Sequence, residues 1–225
     1  MSTPAQLGDP LPRWHWLGTV AYQPTLERQR QHRQALLEGL AVPELWLLEH
    51  PPVVTEGRRP PPIPTPVALL AEHGIEVVRT ERGGLATYHG PGQLVGYLIA
   101  DIGRLGLGVK AAVDAVETGL IRWLATQGVQ AQRRQGYPGV WVGQAKIGAV
   151  GLNIHRNVTM HGFALNLTTD LAPYGLIVPC GITDGEITSL ARLRPGGVPS
   201  PAQAAPDVAR ELLAALAKER PCSLP

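Results

Sequence analysis

The sequence contains few cysteines and few lysines. Cys180 and Cys222 are the two cysteines among 225 residues. Two cysteines exclude a disulfide scaffold and a four-ligand zinc site. Lysine occurs at Lys110, Lys146 and Lys218, and the other basic residues are arginines. A lysine in a functional position therefore stands out in this chain.

Charge is also scarce, since charged residues make up 17% of the chain and the net charge is +2. This charge is too small to favour nucleic acid or an anionic membrane as a partner. No apolar run approaches the roughly 20 residues of a membrane span, and residues 1–17 lack the apolar region of a signal peptide. A hydrophobic content of 44% is typical of a folded chain. We therefore expect a soluble, cytoplasmic protein that binds neither nucleic acid nor membrane.

Hydrophobic periodicity predicts clusters of strands separated by helices. The predicted strands cover residues 14–20, 44–49, 53–54, 75–79, 94–100, 140–142, 145–154 and 159–167. The predicted helices cover residues 24–40, 67–73, 109–127 and a C-terminal segment that ends near 219. In the third helix, 3.6-residue spacing predicts one buried face made of Val109, Ala112, Val113, Val116, Leu120, Trp123 and Leu124.

The clustering of strands favours an α+β fold, in which a mixed β-sheet is flanked by helices, over a Rossmann fold. Gly143-Gln144 is typical of a hairpin turn between two strands. Residues 58–66 are rich in proline and predict a rigid, extended surface loop. No segment has the composition of a linker, so we expect one domain over residues 1–225.

Common cofactor and metal motifs are missing. The chain has no Gly-Lys dipeptide and hence no P-loop, and Gly103, Gly106 and Gly108 have the wrong spacing for a dinucleotide-binding loop. The histidines are scattered without the paired spacing of metal ligands, which favours surface or core roles for them. We therefore expect no metal and no cofactor. The histidines are His15, His32, His50, His73, His89, His155 and His161.

Three segments stand out by their residue types. Residues 82–93 (RGGLATYHGPGQ) hold four glycines just before a buried strand, and glycine lets a ligand approach the backbone closely. Residues 144–153 (QAKIGAVGLN) place Lys146 on a predicted strand with two glycines inside it. Residues 178–182 (VPCGI) place Cys180 in a loop. Taken singly, these patterns also fit a bulged turn, an exposed lysine on an edge strand and a small buried thiol.

Together these segments resemble the lipoyl(octanoyl) transferase family. The resemblance runs from about Leu45 to Leu190 and includes residues 49–58 (EHPPVVTEGR), 82–93, 146–148 (KIG), 161–166 (HGFALN) and 179–181 (PCG). Among these segments, 82–93 is specific, and so is the ordered run of 146–148, 161–166 and 179–181 at family-like spacing. The departures are Leu85, where a polar residue is common, and an N-terminal extension through Pro12.

The resemblance implies the fold of biotin protein ligases and lipoate ligases. It implies that Cys180 is the nucleophile and Lys146 its partner in moving an octanoyl or lipoyl group from acyl carrier protein to a lysine of lipoate-dependent proteins. The expected acceptors are the lipoyl domains of 2-oxoacid dehydrogenases and the glycine cleavage H protein. Arg58 and Arg59 are candidates for steering these partners, whose surfaces are expected to be acidic.

The resemblance also implies the substrate-binding segments. They comprise Arg82, Gly83, Gly84, Leu85, Ala86, Thr87, Tyr88, His89, Ala149, Val150, Gly151, Gly162, Phe163 and Ala164. We expect Gly83, Gly84 and residues 87–89 to line an apolar slot for the acyl chain. Backbone N–H groups near 149–151 or 162–164 are the candidate oxyanion donors. For His89, both a catalytic and a structural role stay open.

The expected chemistry agrees with the residue types. A free thiol with a pKa of about 8.5 is mostly protonated at neutral pH, and a nearby ammonium favours the thiolate. A pKa lowered by about 1.5 units needs roughly 2 kcal/mol of differential interaction. Three alternatives remain: an ATP-dependent ligase of the same fold, which needs no cysteine, a binding protein for acyl carriers or lipoyl domains, and a purely structural protein.

Overall fold

A computed structural model describes residues 11–58, 65–177 and 186–218. The proline-rich residues 59–64 and both cysteines lie outside these ranges. The strands are β1 Arg13–Thr19, β2 Glu44–Glu49, β3 Val53–Glu56, β4 Glu76–Arg79, β5 Thr87–His89, β6 Gln93–Ile99, β7 Gln132–Arg134, β8 Tyr137–Val142, β9 Ala145–His155, β10 Val158–Asn166 and β11 Glu186–Ile187. The helices are α1 Tyr22–Leu37, α2 Val67–Glu72, α3 Val109–Thr126, α4 Leu190–Leu193 and α5 Pro201–Lys218, with a 3₁₀ turn at Ala172–Leu176.

The larger sheet has eight strands within the described ranges. Its order is β1-β2-β6-β10-β9-β8-β7, and β11 pairs with β9. The pairs β1–β2 and β9–β11 are parallel and the others are antiparallel, so the sheet is mixed. This confirms the predicted α+β class with a mixed sheet flanked by helices.

A smaller sheet of three strands, in the order β4-β3-β5, lies beside the larger one. In it β3 pairs parallel with β4 and antiparallel with β5. A small apolar cluster that includes Val54, Ala86 and Tyr88 packs this sheet against α2 and the 3₁₀ turn. Strand β5 of this small sheet lies within the glycine-rich segment 82–93. Hydrophobic periodicity did not predict it.

Helices cover both faces of the larger sheet. One face packs against α3 and α5 in a cluster that includes Leu45, Leu47, Trp123 and Leu212. The other face packs against α1 through residues that include Trp46 and Leu48. The alternation of residues 45–48 between the two clusters is the two-residue period of a strand buried on both sides. No helix in the described residues is long and apolar enough to cross a bilayer.

Most predicted elements are confirmed, with differences at their ends. The helix predicted at 24–40 spans Tyr22–Leu37, because Pro24 fits inside a first helical turn. The prediction was wrong to include Leu40 in the helix, since Leu40 lies beyond the end of α1 and is 79% exposed. Val109 was predicted to lie on the buried face of the third helix, but it is the first residue of α3 and is 58% exposed. The short strands β7 and β11 were also missing from the prediction.

Candidate active site

A cavity of about 780 Å³ lies where the glycine-rich segment crosses the larger sheet. Its floor consists of small residues that face each other across β9 and β10: Gly162 lies opposite Gly151, and Ala164 lies opposite Ala149. Ala164 also pairs with Val95, whose side chain packs towards α1, so the floor lies on the α1 side of the sheet. Four residues with at most a methyl group leave room above the backbone for a bound chain.

The loop of residues 82–84 covers part of this floor. The Gly83 N–H donates a hydrogen bond to the Leu152 carbonyl over 3.2 Å. A Cβ atom at Gly151 would lie 3.0 Å from the Gly83 carbonyl oxygen, a tight contact that would displace the loop by a few tenths of an ångström. The buried Arg82 holds the loop from the other side, since its guanidinium donates to the Thr55 carbonyl over 2.6 Å and to the Gly83 carbonyl over 3.0 Å.

The cavity brings together most of the sequence-predicted substrate-binding residues. Those that line it are Arg82, Gly83, Gly84, Leu85, Thr87, His89, Ala149, Val150, Gly151, Gly162, Phe163 and Ala164. Ala86 and Tyr88 are not among the lining residues, because their side chains pack into the apolar cluster of the small sheet. The alternation of side chains along the segment that ends in β5 explains this separation.

Lys146 also lines the cavity, and it is buried with 4% exposure. Its ammonium lies 5.3 Å from the centre of the Trp141 ring, within reach of a cation–π interaction. Within the described residues Lys146 forms no ion pair. β9 is an interior strand, flanked near Lys146 by β8 and β11, so an exposed lysine on an edge strand is excluded.

A β-bulge aims Lys146 at the cavity floor. Gly139 lies opposite Ala149 and Trp141 lies opposite Lys146, so β9 holds one residue more than β8 in this stretch. Residues directly opposite each other share a face of the sheet, and so do residues two apart on one strand. Lys146 therefore shares a face with Ala149, although their positions differ by an odd number of residues.

Aromatic and histidine side chains form one end of the cavity. Tyr22, His89 and Tyr97 line it, and the fully buried His50 lies behind them. The His89 ring stacks on Tyr22 with ring centres 5.9 Å apart, and the Tyr97 hydroxyl donates to His50 Nε2 over 2.6 Å. The Val20 carbonyl accepts from His50 Nδ1 over 2.6 Å, which places the ring proton on Nδ1.

The tyrosine and histidine rings of this end are uncharged at neutral pH, and the Arg82 guanidinium lies close enough to influence the pKa values of Tyr22, His89 and Tyr97. Burial lowers the pKa of His50 to about 4 and that of His89 to about 3. Burial also raises the pKa of Tyr22 to about 12 and raises that of Tyr97. Gln93 Oε1 accepts from His89 Nδ1 over 2.7 Å, which fixes the neutral tautomer of His89. A cavity end formed by neutral imidazole and phenol rings suits an apolar ligand.

His161 has an unusual backbone at the cavity wall. Its φ of 60° lies in the left-handed region, within strand β10. Its N–H donates to Gln29 Oε1 over 2.9 Å, and both ring nitrogens are buried without a hydrogen-bond partner in the described residues. Burial lowers its pKa. The ladder between β10 and β6 covers Gly162–Asn166 and does not continue through His161. Beyond it, the Thr159 hydroxyl connects the two strands by donating to the Leu98 carbonyl over 2.6 Å.

Sequence reasoning missed several residues of the site. Tyr22 and Tyr97 were not predicted, and no local pattern marks them because they lie on separate elements. His50 lies in the quoted segment 49–58 but was given no role. His161 fell within a quoted motif without a role of its own. Among the described residues, no cluster of three histidine, cysteine or acidic side chains could hold a metal ion.

The predicted nucleophile Cys180 lies outside the described residues. The described chain resumes beside Lys146, because β11 pairs with the start of β9 and Ile187 lies opposite Lys146. The Thr188 N–H donates to the Lys146 carbonyl over 2.9 Å.

Two solved structures with the same architecture are ligases. A lipoate protein ligase from Thermoplasma acidophilum, solved in a study of that enzyme and its E2 lipoyl domain, superposes with a TM-score of 0.65 at 14% identity and covers 94% of this chain and 84% of its own. A biotin protein ligase from Aquifex aeolicus with biotin and ATP gives 0.58 at 12% identity, with 92% and 71% covered. These similarities place the chain in the lipoate and biotin ligase fold.

Sequence comparison shows to which family within this fold the chain belongs. The model of the lipoyl protein ligase A/B catalytic domain matches residues 21–216. An octanoyltransferase of Novosphingobium aromaticivorans is 45% identical over 179 residues, which cover 77% of this chain and 78% of the relative. The chain belongs to the lipoyl protein ligase A/B family and, within it, to the lipoyl(octanoyl) transferases, which are acyltransferases.

Proposed function

We propose that this acyltransferase moves an octanoyl or lipoyl group from acyl carrier protein to a lysine of a lipoate-dependent domain, through a thioester on Cys180. The observation that carries the proposal is the position of Lys146. A buried ammonium without an ion-pair partner in the described residues opens onto a cavity floored by small residues. The octanoyltransferase names of its relatives support the acyl group chosen.

The cavity suggests how the acyl chain lies. The small residues of β9 and β10 give a flat floor, and the neutral aromatic end formed by Tyr22, His89 and Tyr97 receives the apolar tail. The reactive carbonyl then lies at the Lys146 end. In this arrangement His89 is a neutral wall of the slot, since burial lowers its pKa to about 3 and makes its ring a weak base.

The first step is thioester exchange. The Cys180 thiolate attacks the carbonyl of the donor thioester, the C–S bond to the carrier breaks, and the carrier thiolate takes up a proton from the Lys146 ammonium, which becomes neutral. The Lys146 ammonium favours the Cys180 thiolate electrostatically. One thioester replaces another, so the step needs no ATP.

The second step forms the amide. The acceptor lysine amine attacks the Cys180 thioester, the C–S bond breaks, and neutral Lys146 accepts the proton that the amine releases. For the oxyanion, the stretch 149–151 of β9 is the better candidate. Along 162–164, β10 pairs with both β6 and β9, so the sheet engages its backbone on both sides. In the described residues β8 pairs with β9 only as far as Ala149, so one side of β9 is not paired with β8 beyond that residue. An oxyanion needs N–H donors that the sheet does not already use.

The partners follow from the same proposal. The donor is octanoyl-acyl carrier protein, and the acceptors are lipoyl domains of 2-oxoacid dehydrogenases and the glycine cleavage H protein. The Thermoplasma ligase belongs to an archaeal lipoylation system together with its own E2 lipoyl domain, which supports acceptors of this kind. No cofactor takes part in the proposed reaction.

Intact mass spectrometry tests the proposal. After mixing with octanoyl-acyl carrier protein, we expect one octanoyl adduct that maps to Cys180 and is removed by hydroxylamine. Cys180→Ser abolishes the adduct, whereas the matched variant Cys222→Ser keeps it. Undiminished amide transfer by Cys180→Ser would refute the thioester route. Efficient ligation of free octanoate with ATP and magnesium by that variant would instead favour the ligase reaction.

A further inference from the structure

Glu117 is a buried carboxylate that the proposed reaction does not use. It lies in the middle of α3 with 4% exposure. Its Oε1 accepts the Gly139 backbone N–H over 2.7 Å, and its Oε2 accepts from Arg133 Nε over 2.9 Å. A buried carboxylate is costly unless it is paired and hydrogen-bonded, and both oxygens of Glu117 are satisfied.

Gly139 connects Glu117 to Lys146. Its φ is +133°, and a Cβ atom at this position would lie 2.5 Å from Lys146 Cε and 3.3 Å from its Nζ. The bare Gly139 backbone is therefore the surface against which the end of the lysine side chain packs. The carboxylate of Glu117 holds that surface from the opposite side through its bond to the Gly139 N–H.

The charge of Glu117 is compensated locally. The Arg133 guanidinium pairs with it and also contacts the Asp114 carbonyl over 2.6 Å, which fixes the arginine to the same helix. A compensated carboxylate makes a strong, charge-assisted bond to the Gly139 N–H. At the same time it exerts little net attraction on the Lys146 ammonium.

We propose that Glu117 is a positioning residue for Lys146. Its carboxylate fixes the Gly139 backbone, and this wall confines the Lys146 side chain between Gly139 and the Trp141 ring, where the ammonium faces the cavity. The importance of this position for catalysis rests on the proposed function, whereas the placement itself does not.

Four variants separate the effects of Glu117 from general loss of stability and from the role of Lys146. Glu117→Gln keeps an oxygen acceptor for the Gly139 N–H, and Glu117→Ala removes it. Leu120→Ala, in the buried core of the same helix, is the control for general loss of stability. Lys146→Met shows whether the lysine is needed for transfer.

The chain has three lysines, so protein labelled with ¹³C at lysine Cε gives one signal each for Lys110, Lys146 and Lys218. The Trp141 ring shifts the Lys146 signal because the two side chains are in contact. We expect Glu117→Ala to move this signal towards that of the exposed Lys110, while Glu117→Gln and Leu120→Ala leave it in place. An unmoved Lys146 signal in folded Glu117→Ala would overturn the proposal.

Kinetics provide the second measurement. We expect Glu117→Ala to lower kcat by about tenfold or more with KM within about twofold, and Glu117→Gln to restore most of kcat. A loss of kcat with an unmoved Lys146 signal would also overturn the positioning role. A moved signal together with full activity of Lys146→Met would instead leave the placement intact and refute the proposed function. Should Glu117→Ala fail to fold, Glu117→Asp makes the same test, because the shorter side chain draws the acceptor back from the Gly139 N–H.

Discussion

The buried histidines predict a loss of stability in acid. His50 is fully buried and neutral, with its pKa lowered to about 4, whereas an unfolded histidine titrates near 6.5. The unfolded chain therefore binds more protons than the native one between pH 6.5 and 4. By linkage, the free energy of unfolding falls as the pH falls through this window, and it is unaffected well above 6.5.

The magnitude follows from the two pKa values. A pH of 5 lies about 1.5 units below the pKa of an unfolded histidine, and each unit is worth about 1.36 kcal/mol. Between pH 7 and pH 5, His50 therefore lowers the free energy of unfolding by about 2 kcal/mol. His89, with a pKa of about 3, adds about the same. Domains have total stabilities of about 5–15 kcal/mol, so a loss of this size is easily measured.

Urea unfolding at pH 7 and pH 5 tests this prediction, with His50→Gln as the variant. A glutamine amide can still donate to Val20 and accept from Tyr97, but it does not titrate. We expect the pH-dependent loss to shrink by about 2 kcal/mol in this variant. The control His73→Gln, at an exposed position, keeps the full loss. Equal losses in wild type and His50→Gln would refute the reasoning.

Three further predictions concern the slot. Gln93→Leu removes the acceptor of His89 and leaves buried polar groups without partners, so urea unfolding should show a loss of about 3 kcal/mol, which an unchanged midpoint would contradict. Gly96→Ala places a Cβ atom 2.1 Å from the Phe163 ring, so we expect about 1–3 kcal/mol of destabilisation and partial recovery with Phe163→Leu; no recovery would exclude this clash as the cause. Gly151→Ala should displace the 82–84 loop and raise KM for the acyl donor severalfold, and an unchanged KM would show that the loop does not shape the slot.

The sequence predicted the long elements of the fold and the residue types of the site. Strands β9 and β10 and helix α3 have clear hydrophobic periods, and the hairpin between β8 and β9 is confirmed at Gly143-Gln144. Lys146 could be singled out because it is the one lysine on a predicted strand. The direction of its side chain could not be predicted, since the bulge in β9 changes which residues share a face.

Apart from His89, the aromatic end of the cavity was not predictable from local patterns. His50 and His89 come from different parts of the chain, and Tyr97 joins His50 through a hydrogen bond across 47 residues of sequence. Such contacts depend on the pairing of distant strands. Strand β5 was missed for a related reason, because three residues among glycines have no period of their own and are held by their pairing with β3.

The alanine and glycine floor has a consequence for the stability of the loaded enzyme. Elsewhere the sheet is covered by large side chains, but along Ala149, Gly151, Gly162 and Ala164 the protein offers only backbone and methyl groups. An octanoyl chain bound there becomes a piece of hydrophobic core supplied by the substrate, worth up to about 0.8 kcal/mol per methylene. In the proposed reaction, we therefore expect the acylated protein to melt at a higher temperature than the free one, and its stability to fall each time the acyl group departs.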